Sequence, residues 1–243
     1  MNERPSLLHS ARRLARRLGV DVQPWRPQND PAVAHAAILR HTAIDVVLDV
    51  GAATGGYARM LREAGHRGRI ISCEPLPEAF KLLESSADGD PDWEVLCAAV
   101  GAEPGRSVLH VAGNVYSSSL LPMLERHTRA APESAIVRSI EVPVTTVRAI
   151  LDETIGTEDR VLLKLDVQGA ESAVLDGTPF ERITAIHLEQ SLVELYERSA
   201  VFDQLHPRIL DAGFQLVDVT PGLRDPQTAQ LLQFDATYLR RPG

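Results

Sequence analysis

A mostly parallel α/β sheet with helices on both faces is the architecture this sequence predicts. Three observations carry that expectation. From Asp45 onward, strand-like apolar runs alternate with helical ones. The first run, Val46-Val47-Leu48-Asp49-Val50, empties into a loop of small residues, Gly51-Ala52-Ala53-Thr54-Gly55-Gly56, before a helical stretch. The second run, Gly68-Arg69-Ile70-Ile71-Ser72-Cys73, ends on an acid, Glu74, 25 residues after Asp49. A glycine turn after one strand and an acid at the end of the next is how such sheets build a site for a ribose-containing cofactor.

The elements follow in order. Leu7, Leu8, Ala11, Leu14, Ala15 and Leu18 recur at helical spacing with arginines between them, which predicts an amphipathic helix over 6–18. Docking on the core is the favoured reading of that helix; a membrane-surface or partner-binding helix is the alternative. Residues 20–31 are rich in Pro, Asn, Asp and Gln and read as a linker. Asp30 as a cap and Pro31 in the first turn start a helix through His41. Strands are expected at 45–50, 69–73, 93–97, 161–166, 184–189, 214–219 and 233–239. Helices are expected near 55–65, 76–86, 170–176 and 200–212, with two further candidates at 146–153 and 190–197. The short Pro- and Gly-containing approach to the last strand suits antiparallel insertion. Residues 105–145 break the alternation and read as an insertion over the cofactor edge of the sheet. The chain thus divides into a helical extension and linker, 1–44, and a cofactor-binding domain, 45–243.

The chain has 243 residues and a net charge of −8, which argues against a general nucleic-acid coat. No apolar run reaches the ~18 residues that span a bilayer. Residues 1–19 lack the pattern of a secretory signal, so a cytoplasmic protein is expected. Cys73 and Cys97, without metal spacing, read as reduced, packed thiols. The helices before Asp45 also offer a surface for a homo-oligomer.

The cofactor follows from the loop's chemistry. A helix N-terminus presents unpaired N–H groups, and glycine permits close backbone approach. Glu74 can accept two ribose hydroxyls. A dinucleotide site wants Gly-x-Gly-x-x-Gly, whereas here the spacing is Gly51-x-x-x-Gly55-Gly56 with Ala53 in the middle. Asp49 before the loop sits badly beside a pyrophosphate but well beside a sulfonium and an ammonium. S-adenosylmethionine (SAM) therefore fits better than NAD. The expected cofactor contacts are Asp49, Gly51, Ala53, Gly55, Tyr57, Glu74, Pro75, Ala99 and Ser118.

These residues carry a family resemblance. Leu48-Asp49-Val50-Gly51-Ala52 with Gly55 and Tyr57, Cys73-Glu74-Pro75, Ser117-Ser118-Ser119-Leu120, Val142-Pro143-Val144-Thr145-Thr146-Val147 and Leu163-Lys164-Leu165-Asp166-Val167-Gln168-Gly169-Ala170-Glu171 stand in order. The chain resembles the FkbM family of class I SAM-dependent methyltransferases over 45–240. The resemblance implies a seven-stranded Rossmann-like sheet whose last strand is antiparallel, and methyl transfer to a hydroxyl of a sugar, glycolipid or polyketide-type metabolite. The family usually has Asn where Ala53 stands and Glu where Gln168 stands.

Lys164 and Asp166 share one face of a central strand, and His187 and Glu189 share a face of the next. Asp166, at the carboxyl end, is the expected group that positions or deprotonates an acceptor, with Glu189 and Lys164 in support. A structural ion pair is an equal reading of Lys164. Mg²⁺ held by two carboxylates is a second way to acidify a hydroxyl, and the sequence leaves metal dependence open. Asn114, Ser117, Ser119 and Gln168 are the expected acceptor contacts. The partner expected is a small hydroxylated molecule. Two rival functions stand beside this one: a non-catalytic SAM-binding or partner protein, and an NAD-dependent oxidoreductase.

Overall fold

A computed structural model describes residues 7–20 and 30–242. Helices α1 (Leu7–Arg17) and α2 (Pro31–His41) precede the sheet. Asp30 caps α2, its carboxylate accepting from the N–H groups of Ala32 and Val33 at 3.1 and 3.4 Å. The main chain then runs β1 (Val46–Val50), α3 (Gly56–Glu63), β2 (Arg69–Cys73), α4 (Pro77–Ala87) and β3 (Trp93–Leu96). A second stretch follows: β4 (Ala99–Val100), β5 (Gly105–Ala112), α5 (Glu125–Ala130) and β6 (Ile136–Thr145). The last part runs α6 (Val147–Thr154), β7 (Val161–Leu165), α7 (Glu171–Asp176), β8 (Ile183–Ser191), α8 (Phe202–Asp211), β9 (Phe214–Pro221) and β10 (Gln233–Arg240).

Seven strands form one sheet in the order β3-β2-β1-β7-β8-β10-β9. All are parallel except β10, which lies antiparallel between β8 and β9. The order reverses between β1 and β7, so a crevice opens at their carboxyl ends, where ligands bind in sheets of this kind. The expected insertion is a separate three-stranded sheet of order β4-β6-β5.

The strands alternate their side chains between two cores, as the twofold period of a strand requires. Leu48, Leu163, Leu165 and Ile186 pack on one face with Val147, Val174 and Ile209 of α6, α7 and α8. Val47, Leu162 and Ala185 pack on the other with Leu39, Leu61 and Leu83 of α2, α3 and α4. Both faces being covered explains the near-continuous apolar reading of β1 and β7.

Three expectations are corrected. Leu14 and Leu18 are 62% and 77% exposed, so α1 forms but these two leucines of its stripe are not buried on the core. Residues 190–197 are not a helix. β8 continues through Ser191, paired with Gln233 of β10, and Tyr196 then bridges to Met123. The sheet ladder and the burial of Leu195 and Tyr196 outweigh the segment's helical spacing. Cys97 lies one residue beyond β3 and is exposed, whereas Cys73 is buried; both are free thiols. The 20–31 linker reading falls mainly on residues outside those described.

Candidate functional site

The site begins where β1 turns. Gly51 has φ +76°, and a Cβ there would run into the backbone carbonyl oxygen of Asp166. Only glycine lets β1 and β7 approach so closely at their ends. Gly51 and Ala52 both donate their N–H groups to Cys73 O at 3.0 Å, which ties the loop to the end of β2. Ala53 is then driven to φ +48°, a left-handed conformation that costs an L-residue roughly 1–2 kcal/mol. Replacing Ala53 by Asn, which tolerates that conformation, is expected to raise stability by about 0.5–1 kcal/mol in urea denaturation.

Glu74 follows β2 and is 6% exposed. Its carboxylate accepts from Ala53 N at 2.9 Å and from Leu76 N at 2.8 Å. Burial pushes its pKa up to about 7, against the pull of those two hydrogen bonds. Beside it opens a cleft of about 590 Å³. Gly51, Ala53, Glu74, Pro75, Ala99 and Ser118 line it, six of the nine expected cofactor contacts, with Leu109, Leu120 and Tyr116 supplied by the inserted sheet.

The other three of the nine are placed differently. Asp49 is fully buried beneath the loop, 3.0 Å from Lys164 Nζ and accepting from Ser72 Oγ at 3.2 Å. Gly55 leaves room for Trp93, whose ring atoms would lie 2.9 Å from a Cβ there. Tyr57 faces an adjoining hollow of about 570 Å³ with Lys164, His187 and Asp235.

Two polar rows cross the sheet on the α2–α3 side. In the inner row Ser72, Asp49, Lys164, His187, Thr237 and Asp218 stand in register from β2 to β9. Lys164 is 6% exposed, and its ammonium also donates to Gly51 O at 2.9 Å. Burial pulls its pKa down, but Asp49 and then Asp166 outweigh that and leave it above its ordinary value. Lys164 is therefore a held cation, and its main partner is Asp49; Asp166 Oδ2 lies at 3.9 Å. His187 hydrogen-bonds through Nδ1 to Thr237 Oγ1 at 2.9 Å, and its ring lies 4.3 Å from that of His35. His35 Nε2 meets Tyr57 Oη at 2.6 Å. Burial lowers the pKa of both imidazoles, that of His35 to about 4.

The outer row holds Asp166, just past β7, with Glu189 and Asp235 in register on β8 and β10. Gln168 has φ +54°, and its amide donates to Asp166 Oδ1 at 2.7 Å and Glu189 Oε2 at 3.1 Å. Gln233 donates to the same Glu189 oxygen at 2.6 Å. Burial, then Asp166 and the other acids, raise the pKa of Glu189 well above its ordinary value. Asp166 is the exposed member, with 42% of its side chain accessible.

The expected acceptor contacts make hydrogen bonds within the fold, and Ser119 also lines the Glu74 cleft. Asn114 Oδ1 accepts from the N–H groups of Tyr116 and Ser117, closing a turn. Ser117 is buried, its carbonyl accepting from Tyr196 Oη at 3.2 Å. Ser119 Oγ donates to Gln168 O at 2.6 Å, and Gln168 Oε1 accepts from Tyr196 Oη at 2.7 Å. Sequence reasoning missed His35, Asp235 and Tyr116, which come from α2, β10 and the loop after β5 and meet only in the folded sheet.

Among the described residues, no group of three or more His, Cys, Asp or Glu side chains is placed to hold a metal ion. The pair the sequence offered, Asp166 and Glu189, is bridged by an amide that turns donor hydrogens toward the oxygens a cation would need. This donor set does not fit Mg²⁺.

A Rossmann-like sheet of this order, with a glycine loop after β1 and a buried acid after β2, defines the class I methyltransferase fold. The chain belongs to the family of FkbM methyltransferase domains, whose family model matches residues 49–216. It is 29% identical over 132 residues to ribosomal RNA large subunit methyltransferase E of Sphingopyxis alaskensis, a match spanning 44% of this chain and 57% of that relative. The chain thus spans little more than half the length of that curated relative. Among solved structures it resembles the SAM-bound magnesium protoporphyrin IX methyltransferase of Synechocystis PCC 6803, at TM-score 0.44 and 12% identity over 99% of this chain and 100% of the other. It also resembles precorrin-6y C5,15-methyltransferase of Geobacter metallireducens GS-15, at TM-score 0.43 and 13% identity over 90% and 94%.

Proposed function

We propose that this chain transfers a methyl group from SAM to a hydroxyl oxygen of a small molecule. One observation carries the reading: the Glu74 cleft and the Lys164–His187 hollow adjoin, and Gly51, Ala53, Tyr116 and Asp166 line both. Asp166 thus stands between a place for a cofactor and a place for an acceptor.

When bound, SAM supplies a methyl already activated on a sulfonium. The Glu74 carboxylate would accept from the ribose hydroxyls, and Ala99, Leu109 and Leu120 would offer the adenine an apolar wall. Asp166 would accept the proton of the acceptor hydroxyl as its oxygen gains the methyl group, the methyl–sulfur bond breaking and S-adenosylhomocysteine leaving as the neutral thioether. Lys164, tied to Asp49 and Gly51, holds the loop and supplies positive potential near that carboxylate. It is no base, because its ammonium is the favoured form. Glu189, Gln168 and Gln233 orient Asp166 from below. This scheme needs no metal ion.

An acceptor of RNA, the substrate class named for the curated relative, is the second reading. The acids around the hollow (Asp166, Asp218 and Asp235) and the net charge of −8 disfavour a polyphosphate chain there.

The test is calorimetric titration with SAM, S-adenosylhomocysteine and NADH from pH 5.5 to 8.5. Ribose hydroxyls donate to Glu74, so binding favours the carboxylate. Because the free carboxyl titrates at about 7, SAM affinity is expected to fall as pH drops below that value, by up to about tenfold per unit. Glu74→Gln should bind more weakly, with no such pH dependence. Binding of NADH alone would overturn the reading; binding of none would favour a non-catalytic protein.

A further inference from the structure

We infer that α1 is an interfacial helix that seats this chain on an anionic membrane surface. The helix has two opposed faces. At 100° per residue Leu7, Leu8, Ala11, Leu14, Ala15 and Leu18 fall within about a third of the circumference, and Arg12, Arg13, Arg16 and Arg17 lie on the opposite side. No acid interrupts Leu7–Arg17. The apolar stripe continues past the helix into the solvent-facing Val20, which is 54% exposed.

The stripe ends in a defined way. Val20 N donates to Ala15 O at 3.0 Å and Gly19 N to Arg16 O at 3.1 Å, with Gly19 at φ +77°. This pair of bonds closes the last carbonyls of the helix within its own backbone. Leu14 and Leu18 therefore sit uncovered on a finished helix, and no element of the described fold packs over them.

Charge selects the occupant. The whole chain carries −8, yet residues 1–20 hold five arginines against one glutamate. The body of the protein is acidic and is repelled by a negative bilayer, so the helix alone can approach one. Its stripe is built from leucine and alanine and holds no aromatic side chain of the kind that anchors a protein pocket. A leucine face flanked by arginines is what lies flat between headgroups and acyl chains. Basic residues near an anionic leaflet add to the attraction and make it salt-dependent. The inference stands apart from the proposed reaction, since Leu14 and Leu18 are far in sequence from every residue of the two hollows.

The test is vesicle flotation of the full chain. The probes are vesicles of phosphatidylcholine alone and of an equimolar mixture of phosphatidylcholine and phosphatidylglycerol. The chain should float with the mixed vesicles only, and rising salt should release it. Leu14→Glu/Leu18→Glu should lower vesicle binding at least tenfold while SAM titration, which reports a folded domain, stays unchanged. Arg13→Glu/Arg17→Glu should do the same. No flotation of the parent chain, or equal flotation of the leucine variant, overturns the inference. So does a parent that is dimeric by light scattering and ignores vesicles, with the leucine variant monomeric, since the stripe would then join two copies of the chain.

Discussion

Replacing Lys164 by methionine is expected to cost the fold about 3–5 kcal/mol, because it strands a buried carboxylate. Asp49 is fully buried, and among the described residues Lys164 is its only cation within ion-pair distance. Without the ammonium, the carboxylate keeps a single hydrogen bond from Ser72, and Gly51 O loses its donor too. Against the 5–15 kcal/mol typical of a whole domain, such a loss is large. Urea denaturation measures it. The double variant Lys164→Met/Asp49→Leu separates this mechanism from simple misfolding. Removing both charges should recover most of the lost stability, since a buried pair replaced by apolar groups is often neutral. A single variant that lost less than about 1 kcal/mol would show that Asp49 is solvated or neutral.

Asp166→Ala is expected to lower turnover by about 10²–10⁴-fold, the range for loss of a positioned base, while leaving SAM affinity nearly unchanged. The carboxylate reaches both hollows, yet its hydrogen bond within the fold is to Gln168 rather than to the loop that shapes the cofactor cleft. Loss of rate without loss of cofactor binding separates its role from that of Glu74. Single-turnover kinetics on a hydroxyl acceptor, with titration of the same samples, gives both quantities. The conservative Asp166→Glu should recover part of the rate, because it keeps the charge at a displaced position. Near-normal turnover in Asp166→Ala would move the proton acceptor elsewhere, with His187 the next group to test. Burial keeps that imidazole neutral, a form able to accept a proton.

The sheet was legible because its signals are local. β1 and β7 are short apolar runs buried on both faces, and Glu74 and Gly51 sit at fixed offsets from strands readable on their own. Asp30 and Pro31 announced α2 in the same way. The segment after Glu189 was not legible. Leu192, Val193, Leu195 and Tyr196 have helical spacing, but pairing with β10 holds the chain extended through Ser191. The α1 helix was visible, whereas the exposure of Leu14 and Leu18 was not, because amphipathicity does not name the surface that covers the stripe. The polar rows were half legible. Alternation placed Lys164 with Asp166 and His187 with Glu189, yet which strand lies beside which is a property of topology. Asp49 therefore read as a cofactor contact when it is the buried partner of Lys164. Nothing in the sequence of α2 points to a histidine on β8, so the His35–His187 contact was not legible.

The position of β10 between β8 and β9 has a consequence for how the molecule assembles. β9 is made first, but its neighbour in the sheet is β10, so it has no ladder to join until residues 233–240 have paired with β8. During synthesis on the ribosome, the α8–β9 unit must wait, with Phe214 lacking its cover from Tyr238 and Arg240 of β10. Closure of this half of the sheet is thus a late, non-local event, of the kind that slows folding and leaves strand edges open to wrong partners. Glu189 and Asp235 become neighbours only in that same step. The acidic floor beside Asp166 therefore takes shape only when the sheet is complete.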